Sequence, residues 1–398
     1  MQNQSELRIC LDIGSVRHYV AIGLSTGERI DGFYLNHTSE DIEQFFEKIE
    51  KLRISYNMPV VMAMEGFNGY ARPIDRYALD HGYSLYSVNN MKLARFKEVF
   101  PGPAKTDPID AWAIFSLFQV QETLPLAKNI LQKVEPPPVC NEQLKHISRR
   151  RRELVKEKTR IINRLQGDLQ AVCPGLLSIT KNPANLWFLR FLASKEDMTM
   201  LLRMQKRSLL QIKGVGEVYA EEIQKWQKTA KFSSKVEWIG KLIVRDVRRL
   251  LEMLDEIAQL EVLIEGLIPQ SKIASRIESI PGYGSICAAE LAGEIGSIDR
   301  FKSEASLALY LGIGILNKSS GQYEGSRSPR NINWRGKGAM MTGAARHIQL
   351  CDEAAQYYKK KRAEGKKHNQ AVRAFARHMI RVIWSILIHD RDYRQKED

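Results

Sequence analysis

The chain has 398 residues, of which 44% are hydrophobic, so it is long enough for two or three domains with apolar cores. Its 60 Lys and Arg against 46 Asp and Glu give a formal charge of +14, which favours a polyanionic partner such as nucleic acid, the alternative being a solubilising surface excess. Five scattered cysteines without a C-x-x-C pair argue against a zinc site or a disulfide framework. The lack of a signal segment argues against export, and the lack of an apolar run of roughly 18 residues argues against membrane insertion. We therefore expect a cytoplasmic protein.

The first 130 residues have the pattern of an α/β domain. Apolar runs and helical periodicities predict strands, helices and further strands in the order 7–14, 18–25, 30–36, a helix capped by Thr38, 59–66, about 70–81 and 83–88. The run at 59–66 is apolar enough to be a buried parallel strand. This order predicts an RNase H-like fold, in which helices cover the sheet.

Four acids are placed where such a fold would bring them together. Asp12 ends the first strand and Glu65 ends the fourth, while Asp107 and Asp110 lie three positions apart on a helix and so share a face. Carboxylates that converge in this way repel one another unless divalent cations lie between them, and their hard oxygens suit Mg²⁺ or Mn²⁺. Two such ions can activate an attacking oxygen and stabilise a leaving oxygen in phosphoryl transfer.

Each acid also has a structural explanation. Asp107 precedes Pro108 and can cap the helix, and Asp110 can be a first-turn acid that the helix dipole favours. Asp12 can belong to the D-x-G phosphate turn of sugar kinases and actin-like ATPases, but the second D-x-G turn and the glycine-rich loop of those proteins are not found. Glu65 alone is a weak signal. The four acids in this order favour the metal site.

A proline-rich segment, 134–140, predicts a domain boundary. The helix predicted next, 141–170, carries nine Lys and Arg against four Asp and Glu, a net charge of +5. Four of these basic residues are consecutive arginines: Arg149, Arg150, Arg151 and Arg152. A solvated charged face is the usual explanation of such a run, but four consecutive arginines extend around the helix and suit phosphate contacts.

A second long helix, 243–268, has a heptad pattern that is apolar except at Glu261. The two heptad sets are Ile243, Leu250, Ile257 and Ile264, and Val247, Leu254, Glu261 and Ile268. This pattern predicts a coiled coil, either with the 141–170 helix or between protomers.

Two glycine-containing segments, 212–223 and 280–291, share an apolar-x-Gly-apolar-Gly-x-x-x-Ala pattern. The pattern predicts helix-hairpin-helix-like turns, whose glycines let backbone amides approach a DNA phosphate, although such a turn can also be a plain helix connection.

The C-terminal part is the most basic, since residues 318–381 hold fifteen Lys and Arg against four Asp and Glu, +11 of the chain's +14. We expect a flexible loop that contains Lys318, followed by a helix starting at "NWRGKG", where Arg335 and Lys337 can hold a phosphate. Ser319 and Ser320 are ordinary loop serines by composition. A last amphipathic helix is predicted at about 367–388.

The motifs "LDIG", "AMEG" and "KTDPIDA", followed by "SIPGYGSICAAELAGEIGSIDRFKSEASLALYLGI", "SSGQ" and "WRGKG", resemble the DEDD-type transposases of bacterial insertion sequences, the IS110 and Piv invertase family. The resemblance spans nearly the whole chain. It implies a RuvC-like catalytic domain at 1–135, a helical coiled-coil region at 136–270 and a C-terminal transposase domain at 271–398. By position, Ser320 matches the nucleophilic serine of that last domain, with Ser319 as the second choice.

The resemblance further implies a site-specific DNA recombinase that acts through a covalent phosphoserine link to DNA and a DEDD site for Mg²⁺ or Mn²⁺. It implies donor and target DNA, a structured guide RNA called a bridge RNA, a dimer or tetramer with a composite active site, and a nucleoid-associated place in the bacterial cytoplasm. Two other functions stay open: a RuvC-type junction nuclease that needs no serine, and a non-catalytic scaffold that binds nucleic acid.

Overall fold

The computed structural model describes residues 5–65, 72–98, 106–123, 130–180, 182–320 and 323–394; for residues 72, 123, 320 and 323 it describes the backbone alone. The chain divides into two compact units, Met1–Pro136 and Pro137–Asp398. In the described ranges, we find no helix whose length and apolar character would let it cross a bilayer.

The first unit is built around a six-stranded sheet with the strand order β3-β2-β1-β4-β5-β6. β1 pairs antiparallel with β2 and parallel with β4, and β4 pairs parallel with β5. The α/β class of this unit is confirmed, and the strand order is compatible with an RNase H-like fold. Its elements are β1 (Leu7–Ile13), β2 (Arg17–Leu24), β3 (Arg29–Asn36), α1 (Ser39–Tyr56), β4 (Val60–Met64), α2 (Arg72–Asp80), β5 (Ser84–Val88), α3 (Asn90–Glu98), α4 (Asp107–Thr123) and β6 (Leu131–Lys133).

Both faces of the central strands are buried, as their apolar sequences predict. The side chains of β1 alternate between the two faces of the sheet: Ile9 and Leu11 pack into one core, whereas Cys10 packs into the other, which includes residues of α4. Thr38 caps α1 by accepting a hydrogen bond from the amide of Asp41 at 3.2 Å, as predicted. The sequence pattern did not predict α3 or the short edge strand β6.

The second unit is mostly helical, which confirms the predicted class. Its elements are α5 (Val139–Val172), α6 (Leu186–Ala193), α7 (Lys206–Leu210), α8 (Glu217–Thr229), α9 (Val236–Leu267), α10 (Lys272–Glu278), α11 (Ser285–Ile295), α12 (Glu304–Tyr310), β7 (Leu316–Ser320), β8 (Tyr323–Arg327), α13 (Trp334–Leu350), α14 (Asp352–Ala363) and α15 (His368–Ile388). Short 3₁₀ turns connect several of these helices.

The two longest helices, α5 and α9, pack against each other within the chain, so the intramolecular form of the predicted pairing is present. Ion pairs join early residues of one helix to late residues of the other, which makes the pair antiparallel. The pairs are Arg150–Glu256, Arg151–Glu261, Glu157–Arg249 and Arg164–Asp246. The exception in the heptad is thereby explained, because Glu261 binds Arg151 with an oxygen–nitrogen distance of 2.6 Å.

The two long helices contribute to two hydrophobic cores. Leu144 of α5 and Ile264 of α9 belong to the core formed with the C-terminal helices. Leu165 and Ile243 belong to the core formed with the helices between residues 174 and 229. The division of this unit at residue 270 stays a prediction.

The flexible loop expected around Lys318 is instead a two-stranded antiparallel ribbon, so that expectation was wrong. β7 and β8 pair in register from Leu316 with Arg327 to Ser320 with Tyr323. Hydroxyls and glycines suggested a loop, but two residues between the strands suit a hairpin, and backbone pairing does not depend on side-chain hydrophobicity.

Each of the two predicted glycine turns joins two helices, and its contact with a DNA phosphate stays a prediction. Gly214 precedes α8 with φ of 94°, and Gly282 precedes α11 with φ of 88°, values that favour glycine because other residues meet steric strain there. At Gly282 the approach is also close, since a Cβ would lie 2.5 Å from the amide nitrogen of His347.

Candidate active site

The first two acids lie at the ends of neighbouring strands. Asp12 is the next-to-last residue of β1 and lies opposite Tyr19 of β2. Glu65 directly follows β4, and its amide donates a hydrogen bond to the carbonyl of Leu11 at 3.4 Å. The parallel pairing of β1 and β4 therefore brings the backbones of Glu65 and Asp12 side by side, because both strands end at the same edge of the sheet.

The second two acids lie in the first turn of α4. Asp107 is exposed, whereas the Asp110 side chain is only 9% exposed. The amide of Asp110 donates to the carbonyl of Thr106 at 3.1 Å, so the helix is formed from its first turn. Because α4 packs against β1 and β2, its N-terminal turn presents these acids to the strand ends.

The electrostatics of Asp12 connect all four acids. The pKa of Asp12 is raised to about 6, first by burial and then by the negative charges of Asp110, Glu65 and Asp107, in that order, while Lys97 opposes the shift. Because the charges of the three other carboxylates shift the pKa of Asp12, all four acids are close enough to interact electrostatically. The structure therefore brings the four predicted acids together electrostatically.

Lys97, at the end of α3, is a member of this cluster that the sequence reading missed. Its Nζ lies 2.7 Å from Oδ1 of Asp110. The ammonium group neutralises one of the four carboxylates, which lowers the repulsion among them. The only sequence signal was a lysine shortly before the acidic helix, which is too common to be selective.

The donor set fits a hard divalent cation by its chemistry. All four groups are carboxylates, and their mutual repulsion is the kind of field that a divalent cation relieves. Across the described part of the chain, no three His, Cys, Asp or Glu side chains are close enough together to hold a metal ion as they stand. The ion pair of Lys97 with Asp110 occupies a coordinating oxygen of the set.

The four consecutive arginines of α5 are all ion-paired within the second unit. Arg149 binds Glu294 with two hydrogen bonds of 2.7 Å, and the side chain of Glu294 is 2% exposed. Arg150 is the most exposed of the four, at 63%. The pairs are Arg149–Glu294, Arg150–Glu256, Arg151–Glu261 and Arg152–Glu290. Their role as phosphate ligands stays a prediction, and a phosphate would compete with these glutamates.

Glu294 connects α5 to the start of α13. Asn333 donates from Nδ2 to Oε2 of Glu294 at 2.6 Å, and its own Oδ1 accepts from the amide of Gly336, which caps α13. The carbonyl of Glu294 accepts from the hydroxyl of Tyr310 at 2.8 Å. Burial opposes ionisation, but the hydrogen bonds from Arg149 and Asn333 hold the pKa of Glu294 below its usual value.

The predicted C-terminal contacts lie on and beside the hairpin. Lys318 and Ser319 are exposed on β7, while the side chain of Ser320 and residues 321 and 322 lie outside the described residues. Arg335 lies 3.7 Å from Glu153, and the Nζ of Lys337 lies 4.8 Å from the ring centroid of Trp334.

Comparisons with known proteins match the same two regions. A transposase family model of the IS110 DEDD type matches residues 9–174, which contain the four acids. A model of the IS116/IS110/IS902 transposase family matches residues 274–359, which contain the hairpin and the start of α13.

Curated relatives are also proteins of insertion elements. The chain is 25% identical over 394 residues, 95% of this chain and 93% of the relative, to an uncharacterized 43.6 kDa protein of insertion element IS110 from Streptomyces coelicolor. It is 25% identical over 323 residues, 77% of each chain, to a 44.8 kDa protein of IS116 from Streptomyces clavuligerus. It is 32% identical over 148 residues, 37% of each chain, to a 42 kDa protein of IS900 from Mycobacterium paratuberculosis.

Proposed function

Because the chain belongs to the IS116/IS110/IS902 family of insertion-element transposases, we propose that it is a site-specific DNA recombinase with a serine nucleophile and a divalent-metal site made by Asp12, Glu65, Asp107 and Asp110. The observation that carries the metal site is the parallel pairing of β1 and β4, which brings Asp12 and Glu65 side by side at one edge of the sheet. The negative charges of the other three acids, after burial, raise the pKa of Asp12. Such a field favours a cation at the centre of the cluster.

The serine step is a transesterification. The Oγ of Ser320 attacks the scissile phosphorus, its proton passes to a base, and the bond from phosphorus to one sugar oxygen breaks. That oxygen takes a proton and leaves as a hydroxyl, so the DNA end stays linked to the serine as a phosphodiester. Attack by the hydroxyl of a different strand then breaks the serine link, reseals the DNA and restores the serine.

The chain's own charges support this chemistry. A divalent cation held by the four acids would supply stabilisation of the charge that develops on the phosphate and the leaving oxygen. Lys97 would have to exchange Asp110 for another partner when the cation binds. Lys318, Arg335 and Lys337 would neutralise phosphates beside the serine.

We also propose the partners that the family resemblance implies: donor and target DNA, a structured bridge RNA, and further copies of the chain in a dimer or tetramer. The RuvC-like domain at 1–135, the coiled-coil region at 136–270 and the serine-bearing domain at 271–398 are parts of this proposal, as are Mg²⁺ or Mn²⁺ and a nucleoid-associated location. The net charge of +14 supports a nucleic-acid partner.

A denaturing gel that detects protein joined to labelled DNA tests the nucleophile. The wild type should give an adduct that Ser320→Ala loses and that the neighbouring Ser319→Ala keeps. An adduct that persists in Ser320→Ala contradicts the assignment, and the opposite pattern moves the role to Ser319.

The same gel separates the other functions. Nicked DNA without an adduct would indicate a RuvC-type nuclease, and DNA binding without nicks or adducts would indicate a scaffold. Wild-type activity in Asp12→Ala and Glu65→Ala would rule out the metal site. Sequencing of RNA that co-purifies with the protein tests the guide, which is contradicted if no discrete structured RNA is recovered.

A further inference from the structure

Trp334, the first residue of α13, is exposed to an extent that its chemistry does not favour. It is 69% exposed and Trp238 is 60% exposed, whereas Trp187 and Trp226 are at most 7% exposed. An exposed indole offers a large apolar face for contact with a partner, and what distinguishes Trp334 from Trp238 is its surroundings.

The backbone that carries Trp334 is held firmly. The preceding residue, Asn333, donates its amide to the carbonyl of Tyr310 at 2.7 Å and its Nδ2 to Glu294 at 2.6 Å. Its Oδ1 caps the helix through the amide of Gly336 at 2.9 Å. The backbone that carries the indole is therefore fixed, which lowers the entropic cost of binding a ligand.

The surroundings of the ring are cationic. The Nζ of Lys337 lies 4.8 Å from the ring centroid, whereas Arg335, the next residue, lies 3.7 Å from Glu153. Burial lowers the pKa of Lys337, and the nearby charge of Arg373 lowers it further. An aromatic ring with a cation beside it suits single-stranded nucleic acid, because the ring stacks on a base and the cation contacts an adjacent phosphate.

The first turn of α13 packs against the base of the hairpin. A Cβ on Gly312, shortly before β7, would be 2.5 Å from Cδ1 of Ile332 and 3.2 Å from Cδ of Lys337. A Cβ on Gly336 would be 2.5 Å from Cδ2 of Leu311. The chain that enters β7 is thus packed against the first turn of α13, so the base of the hairpin lies next to the turn that carries Trp334.

We propose that Trp334 stacks on an unpaired DNA base, with Lys337 on a flanking phosphate. The inference rests on the proposed function for the choice of DNA as the nucleic acid. A duplex keeps its base faces stacked, whereas strand exchange requires separated strands, so the indole is expected to bind bases at the separated junction rather than in the duplex.

Binding of the full chain to two labelled probes, without divalent cation, tests the stacking. One probe is a forked DNA with unpaired arms, and the other is a fully paired duplex of the same length. Trp334→Ala should weaken binding to the fork about tenfold and leave duplex binding unchanged, and Trp334→Phe should retain most of the affinity. Trp238→Ala is the matched control, because Trp238 is 60% exposed on α9 and should keep wild-type binding.

A fork whose unpaired arms carry abasic sites completes the test. The wild type should bind the abasic fork about as weakly as Trp334→Ala binds the intact fork. Trp334→Ala should bind the abasic and the intact forks with the same affinity. The stacking role is overturned if Trp334→Ala loses the same affinity for the fork and the duplex, or loses affinity for neither. It is also overturned if Trp238→Ala loses as much affinity for the fork as Trp334→Ala does. A Trp334-dependent preference for an RNA fork over the DNA fork overturns the choice of DNA.

The outcome is distinguishable from failure of the proposed function. Binding does not require cleavage, so the fork-binding experiment can be interpreted even if no serine adduct is found. A wild type that binds neither probe at low salt contradicts both proposals. Far-ultraviolet circular dichroism of each variant confirms that the comparison is between folded proteins.

Discussion

Arg149 holds Glu294 through two parallel hydrogen bonds of 2.7 Å, from Nε to Oε1 and from Nη2 to Oε2, although the two residues are 145 positions apart in the chain. The pair joins α5 to α11, and through Asn333 it reaches the cap of α13. A residue from the most basic run of the sequence thus has a structural partner. The four arginines differ in exposure, so we expect their replacement by alanine to lower the free energy of unfolding by different amounts.

Arg149→Ala should destabilise the second unit by about 3 kcal/mol, because it leaves the buried carboxylate of Glu294 without its cation. Arg150→Ala is the matched control and should cost less than about 1 kcal/mol, because Arg150 and Glu256 are 63% and 42% exposed. Urea denaturation followed by tryptophan fluorescence measures both, since five of the six tryptophans lie in this unit. Equal costs for the two variants would contradict the assigned difference.

Asp12→Asn should stabilise the first unit in the absence of divalent cations, raising its melting temperature by about 3 °C, because it removes one of four carboxylates that repel one another. Calorimetry should also show that Mn²⁺ raises the melting temperature of the wild type and not that of Asp12→Asn. Asp31→Asn is the control, because Asp31 pairs with Lys48 at 2.6 Å away from the cluster and should keep the response to Mn²⁺. A variant that still responds to Mn²⁺ like the wild type would exclude Asp12 as a ligand.

His18 should make the stability of the first unit depend on pH. Burial, and then the neighbouring His37, lower the pKa of His18 from 6.5 to about 4 in the folded state. Between these values the unfolded chain binds a proton that the folded chain does not, so stability falls as pH decreases from 6.5 to 4 and the contribution is constant above 6.5. Melting temperatures measured across this range should fall more steeply for the wild type than for His18→Gln. Parallel profiles would show that His18 is not the group responsible.

Gly282→Ala should destabilise the second unit by at least about 2 kcal/mol, because φ is 88° and the added Cβ would meet the backbone of His347. Gly284→Ala, two residues later, is the control: its φ is −57°, it has open space around it, and its substitution should cost less than about 1 kcal/mol. Thermal unfolding of the two variants decides the matter. A similar loss in both would mean that the turn does not depend on the left-handed glycine.

The sequence by itself determined the local elements of this protein. Apolar runs predicted β1 to β5 of the first unit, Thr38 predicted the start of α1, and the heptad predicted the long helix that became α9. Asp12, Glu65, Asp107 and Asp110 could be chosen because their positions at strand and helix ends follow from the predicted element order. These features depend on residues that are close together in the sequence or on the order of strands and helices along the chain. Both can be predicted from the sequence.

Only the tertiary structure decided which distant groups meet. Composition suggested that Arg149 to Arg152 contact phosphates, but each has a glutamate partner more than a hundred residues away. Lys97 became part of the acidic cluster because α3 ends beside α4, and the hairpin at β7 and β8 replaced an expected loop because backbone pairing across a two-residue connection formed it. The physical reason is that an ion pair or a strand pairing is fixed by the spatial approach of two segments, which residue type and local periodicity do not specify.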